Sequence, residues 1–332
     1  MQIHEINSLI DKINAKMVVL LCHHNADPDA ICSAFTFSRL LKRLHPKLTV
    51  EIAAAHGPSR LSKHLLNSLP VDLTSEPQIK EADTIVLLDT NTIQQLDEWR
   101  EQVEASGAPL IVIDHHASHP DTEHLATICV ADEEASSTCE IIHRLFKEAG
   151  VELDRIEAIA LFLGIAFDTR HFILADSNTF KVVADLIEFG VDAEETLALL
   201  SLPTNHSERV ARLKAAERVK LKKVGEWLIA LSHVGAYQAS AARALIRLGA
   251  HVAVVAGRRA GTLRISLRAD SDFYRKTGIH LGRDIAKPLG EYLKGMGGGH
   301  STSAGANGVG DVDAGFRCCM ELLRKHLAKN AD

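Results

Sequence analysis

From Met17 to about Phe167, short apolar runs alternate with amphipathic stretches, the pattern of βα units wound around a mainly parallel sheet. The apolar runs predict strands at Met17–Cys22, Leu48–Ala55, Thr84–Leu88, Leu110–Ile113 and Thr127–Val130. Several are apolar almost throughout, as suits strands buried on both faces. The stretches between them predict helices over Ala30–Leu44, Ile93–Ala105, Ser136–Gly150 and Arg155–Phe167. Ser136 or Ser137 would cap the third.

From Ser177 to about Lys223 the pattern is helical and increasingly charged, and 191–223 reads as a helical linker. A second α/β segment follows, with strand Trp227–His233, helix Ala236–Leu248, and strands Val252–Ala256 and Leu263–Arg268 joined by the turn Gly257–Gly261. After it come the glycine-rich Gly295–His300, small residues to Gly310, and a terminal helix near Asp313–Leu327. At 332 residues the chain exceeds one typical core. The expected fold is α/β: an N-terminal, mainly parallel sheet over 1–190, the linker helix, and a smaller C-terminal α/β domain over 224–332, with a cleft between the two.

Composition narrows the function classes. No apolar run approaches the ~20 residues that span a bilayer. The start, Met1-Gln2-Ile3-His4-Glu5, lacks a signal peptide's basic flank and apolar core, so a cytoplasmic protein with no membrane partner is expected. Six cysteines (Cys22, Cys32, Cys129, Cys139, Cys318, Cys319) show no CxxC spacing and sit in apolar contexts, so they read as reduced structural residues. The net charge of −6 argues against a general nucleic-acid-binding surface. It leaves room for a small anionic substrate, because bound divalent cations would offset part of it.

Candidate chemistry sits where the strands end. The first run finishes in His23-His24-Asn25-Ala26-Asp27-Pro28-Asp29, the third in Asp89, and the fourth in Asp114-His115-His116. Asp168 follows the apolar run Ala160–Phe167. Open α/β sheets place their chemistry at the carboxyl ends of strands. A single Asp there is usually a turn or cap residue, and a lone His is usually structural. Four such endings in register with predicted elements point instead to a metal site. Hard divalent ions prefer carboxylate oxygens, and Mn²⁺ also accepts imidazole. Asp27 and Asp29, two apart on an extended loop stiffened by Pro28, would present both carboxylates to one side. A pair of metals ~4 Å apart stabilises both oxygens of an in-line phosphoryl displacement.

These motifs resemble the DHH phosphoesterase superfamily, which includes RecJ exonucleases, NrnA-type oligoribonucleases and manganese-dependent inorganic pyrophosphatases. His23-x-x-x-Asp27-x-Asp29-Ala30, Leu88-Asp89-Thr90, Asp114-His115-His116 and Gly164-Ile165-x-x-Asp168-Thr169 match its four metal motifs in order. Ala135-Ser136-Ser137-Thr138-x-Glu140 matches a further segment, so the resemblance covers nearly the whole chain. It implies His23, Asp27 and Asp89 on one Mn²⁺, and Asp29, Asp89, His115 and Asp168 on a second, with Asp89 bridging. Mg²⁺ or Co²⁺ would substitute. It also implies two catalytic residues: Asp114, orienting an imidazole, and His116, facing the substrate phosphate.

The C-terminal segment Gly297-Gly298-Gly299-His300, with Ser266-Leu267-Arg268, is similar to the DHH-associated domain of the nuclease and oligoribonuclease branch. The likeness implies substrate contacts at Arg268, Gly298, Gly299 and His300, where glycines let backbone N–H groups approach a phosphate and Arg268 clamps one. Two positions depart from the family pattern. Ala26 stands where Pro is usual, and Arg170-His171 where Gly is usual, which offers Arg170 as an added phosphate contact. The implied activity is two-metal hydrolysis of short oligonucleotides, with 3′-phosphoadenosine 5′-phosphate as a second substrate. The alternatives are a RecJ-like single-strand exonuclease and a non-catalytic nucleotide-binding regulator. Sparse aromatics weigh against the exonuclease, and the complete ligand set against the regulator. A homodimer is one candidate assembly.

Overall fold

The apolar runs become the strands of a sheet buried on both faces. In the computed structural model, residues 2–329 are described apart from Ser118, Pro203 and Ala260. The chain forms two units, Met1–Leu202 and Pro203–Asp332.

The first unit begins with α1 (Gln2–Ile13), then β1 (Met17–Cys22), α2 (Pro28–Leu44), β2 (Thr49–Ala54), α3 (Arg60–Leu65) and β3 (Thr84–Leu88). It continues with α4 (Arg100–Ser106), β4 (Leu110–Asp114), α5 (Pro120–Leu125), β5 (Ile128–Ala131), α6 (Thr138–Ala149), α7 (Arg155–Asp168), α8 (Ser177–Glu188) and α9 (Ala193–Leu199). Among the described residues its sheet has five strands in the order β2-β1-β3-β4-β5, all parallel. Chain direction across the sheet reverses at β1, so the crevice between the carboxyl ends of β1 and β3 is a topological switch point, the usual ligand position in such sheets. One face packs on α1, α2, α6 and α7 through Leu20, Val86 and Ile111. The other carries Val19, Leu87 and Val112 against Ile93, Leu96 and Trp99.

The second unit comprises α10 (His206–Glu217), β6 (Lys220–Val224), β7 (Trp227–His233), α11 (Gln238–Arg247), β8 (Val252–Arg259) and β9 (Thr262–Ala269). It ends with α12 (Ser271–Thr277), α13 (Lys287–Tyr292), β10 (Met296–Gly299), β11 (Ser303–Gly308) and α14 (Val312–Lys329). Its described strands form one mixed sheet in the order β10-β11-β9-β8-β7-β6.

Several elements differ from the sequence reading. The stretch read as one helix over Ile93–Ala105 is a 3₁₀ segment, Ile93–Trp99, followed by α4, because Asp97 adopts a left-handed φ of 47° between them. The end of the stretch read as helical to Lys223 is strand β6, a polar edge strand paired with β7. Its exposed lysines gave no strand signal, and lysine is common on edges because it blocks further pairing. The span 191–223 contains α9, in the first unit, and α10, in the second. Strand β5 begins one residue later than expected, and the cap of α6 is Ser137, whose side chain accepts from Glu140 N–H. Cys129, read as apolar-packed, is exposed. Among the described residues no helix is long and apolar enough to cross a membrane.

Candidate active site

Strand β1 delivers His23, and the chain then turns through Asn25, whose φ is 54°. Asp27 caps α2, accepting from the N–H groups of Asp29 (3.0 Å) and Ala30 (3.2 Å). Pro28 occupies the first helical turn, where a missing N–H costs nothing. The Asp27-Pro28-Asp29 segment is therefore a cap and a first helical turn, not an extended loop, and its two carboxylates part company. Asp27 turns toward His23, while Asp29 turns inward and is fully buried. There the N–H groups of Thr138 (2.7 Å) and Cys139 (3.0 Å) at the start of α6 donate to it. A helix N-terminus favours such a carboxylate. Gly164 on α7 makes the space, since a Cβ there would lie 2.3 Å from Cys139 Sγ and 2.7 Å from Asp29 Oδ1.

Asp89 leaves β3 in a left-handed turn, φ 54°, and is 3% exposed. Its Oδ2 lies 3.7 Å from His23 Nε2, and its Oδ1 lies 3.6 Å from His115 Nε2. Thr138 Oγ1 donates to Oδ1 at 3.1 Å, so one threonine fixes both Asp29, through its N–H, and Asp89. At the end of β4, His115 Nε2 stands 3.0 Å from Oδ2 of Asp168, the last residue of α7. Asp114 Oδ1 accepts from both the backbone N and Nδ1 of His116, each at 2.8 Å, so the imidazole it orients is that of His116. Left-handed φ at a buried Asp is a conformation proteins keep where geometry at a site demands it.

The cluster is electrostatically strained without a cation. Burial, then the charges of Asp89 and Asp168, push the Asp27 carboxyl up to about 6 and that of Asp29 well above its usual range. Burial opposes the charged form of Asp89 too, yet His23, His115 and His116 outweigh it and hold that carboxyl low. The hydrogen bond to Asp114 raises His116 to about 9.

The donor set fits divalent cations. His23, Asp27 and Asp89 converge in one group, Asp29, His115 and Asp168 in a second, and Asp89, Asp114, His115 and His116 in a third. His115 Nε2 is enclosed and makes no hydrogen bond, although Asp168 lies close: the two atoms converge on a common point without aligning on each other. Carboxylate oxygens with a few imidazoles suit Mn²⁺, Mg²⁺ or Co²⁺. The nearby thiols do not compete, because burial pushes those of Cys22, Cys32 and Cys139 well up, away from the thiolate that binds metal.

The structure thus gathers His23, Asp27, Asp29, Asp89, Asp114, His115, His116 and Asp168. The sequence reading gave no role to Thr138 or to the close packing at Gly164; the capping serine before Thr138 marked a helix start, though not what that start would bind. Arg170 follows Asp168 in a left-handed turn (φ 53°) and is exposed.

On the second unit, the glycine run forms strand β10. Two of its glycines are there for packing: a Cβ at Gly297 would fall 1.7 Å from Ala286 O, and one at Gly299 2.5 Å from Ser303 O. Gly298 alone of the three faces open space. His300 is exposed, its N–H donating to Ser303 O at 2.8 Å. Arg268, half-buried on β9 and in register with Ser303, donates to Leu267 O and has no carboxylate partner among the described residues.

Residues 17–165 match the N-terminal domain of the DHH family. The chain is 36% identical over 308 residues to the uncharacterised protein MJ0988 of Methanocaldococcus jannaschii, covering 90% of this chain and 89% of that one. The chain belongs to the DHH family. Within this phosphoesterase superfamily it is also similar to the probable bifunctional oligoribonuclease and PAP phosphatase NrnA of Streptococcus mutans, at 27% identity over 230 residues, 68% of this chain and 69% of that one. In fold, this DHH protein is similar to an exopolyphosphatase-related protein from Bacteroides fragilis, with a TM-score of 0.63, 20% identity, and coverage of 100% of this chain and 98% of that one.

Proposed function

We propose that this DHH protein is a divalent-metal-dependent phosphodiesterase that hydrolyses short oligonucleotides to mononucleotides, with 3′-phosphoadenosine 5′-phosphate as a second substrate. The observation that carries the reading is Asp89, whose two oxygens face His23 on one side and His115 on the other. His23, Asp27 and Asp89 would hold one cation, and Asp29, His115 and Asp168 the other, with Asp89 shared. When bound, such cations polarise phosphoryl oxygens and make a nucleophilic water available near neutral pH. Mn²⁺ is the expected ion because imidazoles stand among the carboxylates.

The chain's own groups supply the rest. Asp114 fixes the His116 ring through Nδ1 and leaves Nε2 to donate a proton to the departing oxygen. His116 is half-exposed, as a group that meets substrate must be. Arg170 beside Asp168, and Arg268 with His300 on the second unit, would hold substrate phosphates. The likeness to NrnA supports the substrate class, and a cytoplasmic location is the matching expectation. A time course on 5′-labelled RNA and DNA of two to ~20 nucleotides, with 3′-phosphoadenosine 5′-phosphate alongside, in Mn²⁺ and in chelator, tests it. Chelator-sensitive mononucleotide release from the shortest RNAs is expected. No product from any of these substrates in Mn²⁺ would overturn it.

A further inference from the structure

The first unit, which carries the metal-ligand cluster, is acidic: it holds 15 Lys and Arg against 32 Asp and Glu, whereas the second unit is basic, with 22 against 11. Away from bound cations, an anionic substrate gains little from charge on such a unit, so its hold there comes from groups of another kind. One stretch of the rim offers them: residues 169–176, between the end of α7 and the start of α8.

Arg170, His171 and Phe172 follow one another at φ 53°, 59° and 67°. A left-handed residue with a Cβ crowds its own carbonyl, and three in succession are not a form that a free chain keeps. The turn is held by its surroundings. His171 N–H donates to Ala166 O (2.6 Å), Phe172 N–H to Thr169 Oγ1 (3.1 Å) and Leu174 N–H to Thr169 O (2.9 Å). The Phe172 ring sits 5.3 Å from that of Phe162 and 6.3 Å from that of Phe180. Both ends are fastened to elements that hold metal-ligand residues. α7 ends in Asp168, and at the start of α8 Asn178 Nδ2 donates at 2.7 Å to Glu140 on α6, two residues beyond Thr138.

Fixed in this way, the loop leaves Ile173 80% and Leu174 58% exposed, with Phe180 half-exposed beside Phe172. A single exposed hydrophobic side chain needs no explanation. Two adjacent ones on a strained, closely bonded loop do, because such strain is kept where a site uses the shape it gives. Three side chains fall far short of the ~800 Å² per partner that a stable protein interface takes. They suit one face of a flat ring system. Leu174 returns to Thr169, the neighbour of Asp168, so these side chains begin beside a metal-ligand residue. Arg170, exposed on the same turn, sets a cation three residues from an apolar surface, as a nucleotide sets phosphate beside base.

We propose that Ile173 and Leu174 form an apolar shelf that holds the nucleobase next to the scissile phosphate and so sets base preference. An aliphatic surface packs on the face of a base without reading its hydrogen-bonding edge. The shelf therefore accepts every base and favours purines over pyrimidines only by the larger area they bury. The inference rests on the phosphodiesterase reading above and names residues that would set its specificity.

The test uses the full-length protein, the double variant I173S/L174S, and I187S, which alters an exposed residue two turns along α8 from Phe180. Hydrolysis in Mn²⁺ is followed on diadenylate, diuridylate and the two dinucleotides that lack one or the other adenine. The double variant is expected to raise KM for diadenylate about tenfold, the effect of losing ~55 Å² of buried apolar contact, with kcat within about twofold. It should also remove the preference for diadenylate over diuridylate. Deleting one of the two adenines should raise the wild-type KM alike, and on that substrate the double variant should add nothing, because the contact is already gone. I187S should stay within about twofold. An unchanged KM in the double variant, a rise of equal size on both abasic substrates, or the same rise in I187S would overturn the proposal. If no dinucleotide is cleaved, calorimetry in Mn²⁺ compares adenosine 5′-monophosphate with ribose 5-phosphate. Tighter binding of the nucleotide that the double variant loses would uphold the shelf and sink the hydrolase reading instead. Equal binding of the two by the wild type would overturn the shelf.

Discussion

Asp89 is held by Thr138, faces two imidazoles with its two oxygens, and sits in a backbone conformation that few aspartates adopt. Asp89→Asn keeps the shape and removes the charge that both cations would share. It should lower kcat/KM by a factor on the order of a thousand, several kcal/mol of lost transition-state stabilisation. Calorimetric titration with Mn²⁺ should show weakened binding in the same variant. Retention of more than about a tenth of the activity would count against a shared ligand. A different residue sets an acid limit on stability. His143 on α6 is buried, and burial with the nearby Lys147 charge lowers it to about 4, although Asp185 opposes this. Its folded value lies below the unfolded one of ~6.5, so its stabilising contribution is complete above pH ~6.5 and is lost as pH falls toward 4, by up to about 3 kcal/mol. Urea melts from pH 7.5 to 4.5 on wild type and His143→Leu should show a shallower decline for the variant; parallel curves would refute this role.

At the scale of elements, the site depends on how closely α6 and α7 approach Asp29. Gly164→Ala would put a methyl against Cys139 Sγ and Asp29 Oδ1, displacing the carboxylate from the start of α6. The expected cost is about 1–3 kcal/mol of stability with a matching loss of Mn²⁺ affinity. A variant with full stability and wild-type metal titration would show that this packing does not set the ligand. Which elements could be read in advance follows from what holds them. Met17–Cys22 and Thr84–Leu88 were legible to the residue, because burial on both faces leaves an unbroken apolar run. Strand β6 was not, since an edge strand of lysines is fixed by its pairing with β7 rather than by its own composition. The amphipathic α1 buries Ile3, Ile6 and Ile10 yet was absent from the sequence reading. The metal-ligand residues stood out as strand endings, whereas the parting of Asp27 and Asp29 depends on where α2 starts. That start was hidden because Pro28 reads as a loop residue and acts here as a first helical turn.

At the scale of the whole molecule, all the metal-ligand candidates lie in the acidic unit, so cation binding should stabilise that unit and leave the basic one alone. Burial first, and then the charges of Asp89 and Asp168, drive Asp27 and Asp29 toward protonation, a cost that a bound divalent ion would offset. A ligand at a hundred times its dissociation constant adds about 2.7 kcal/mol to the state that binds it. For a unit of this size that corresponds to a rise in Tm of roughly 5–10 °C. The two tryptophans make the assignment measurable, because Trp99 is buried in the first unit and Trp227 in the second. Thermal melts followed by fluorescence in Trp227→Phe report the first unit, and those in Trp99→Phe report the second. Saturating Mn²⁺ should raise the Trp99 transition by that amount over chelator and move the Trp227 transition by less than about a fifth as much, since only the first unit gains binding energy. Adding Asp89→Asn to the Trp227→Phe variant should abolish most of the gain. Equal shifts at both tryptophans, or none at Trp99, would mean that the carboxylates gathered around Asp89 do not form the metal site.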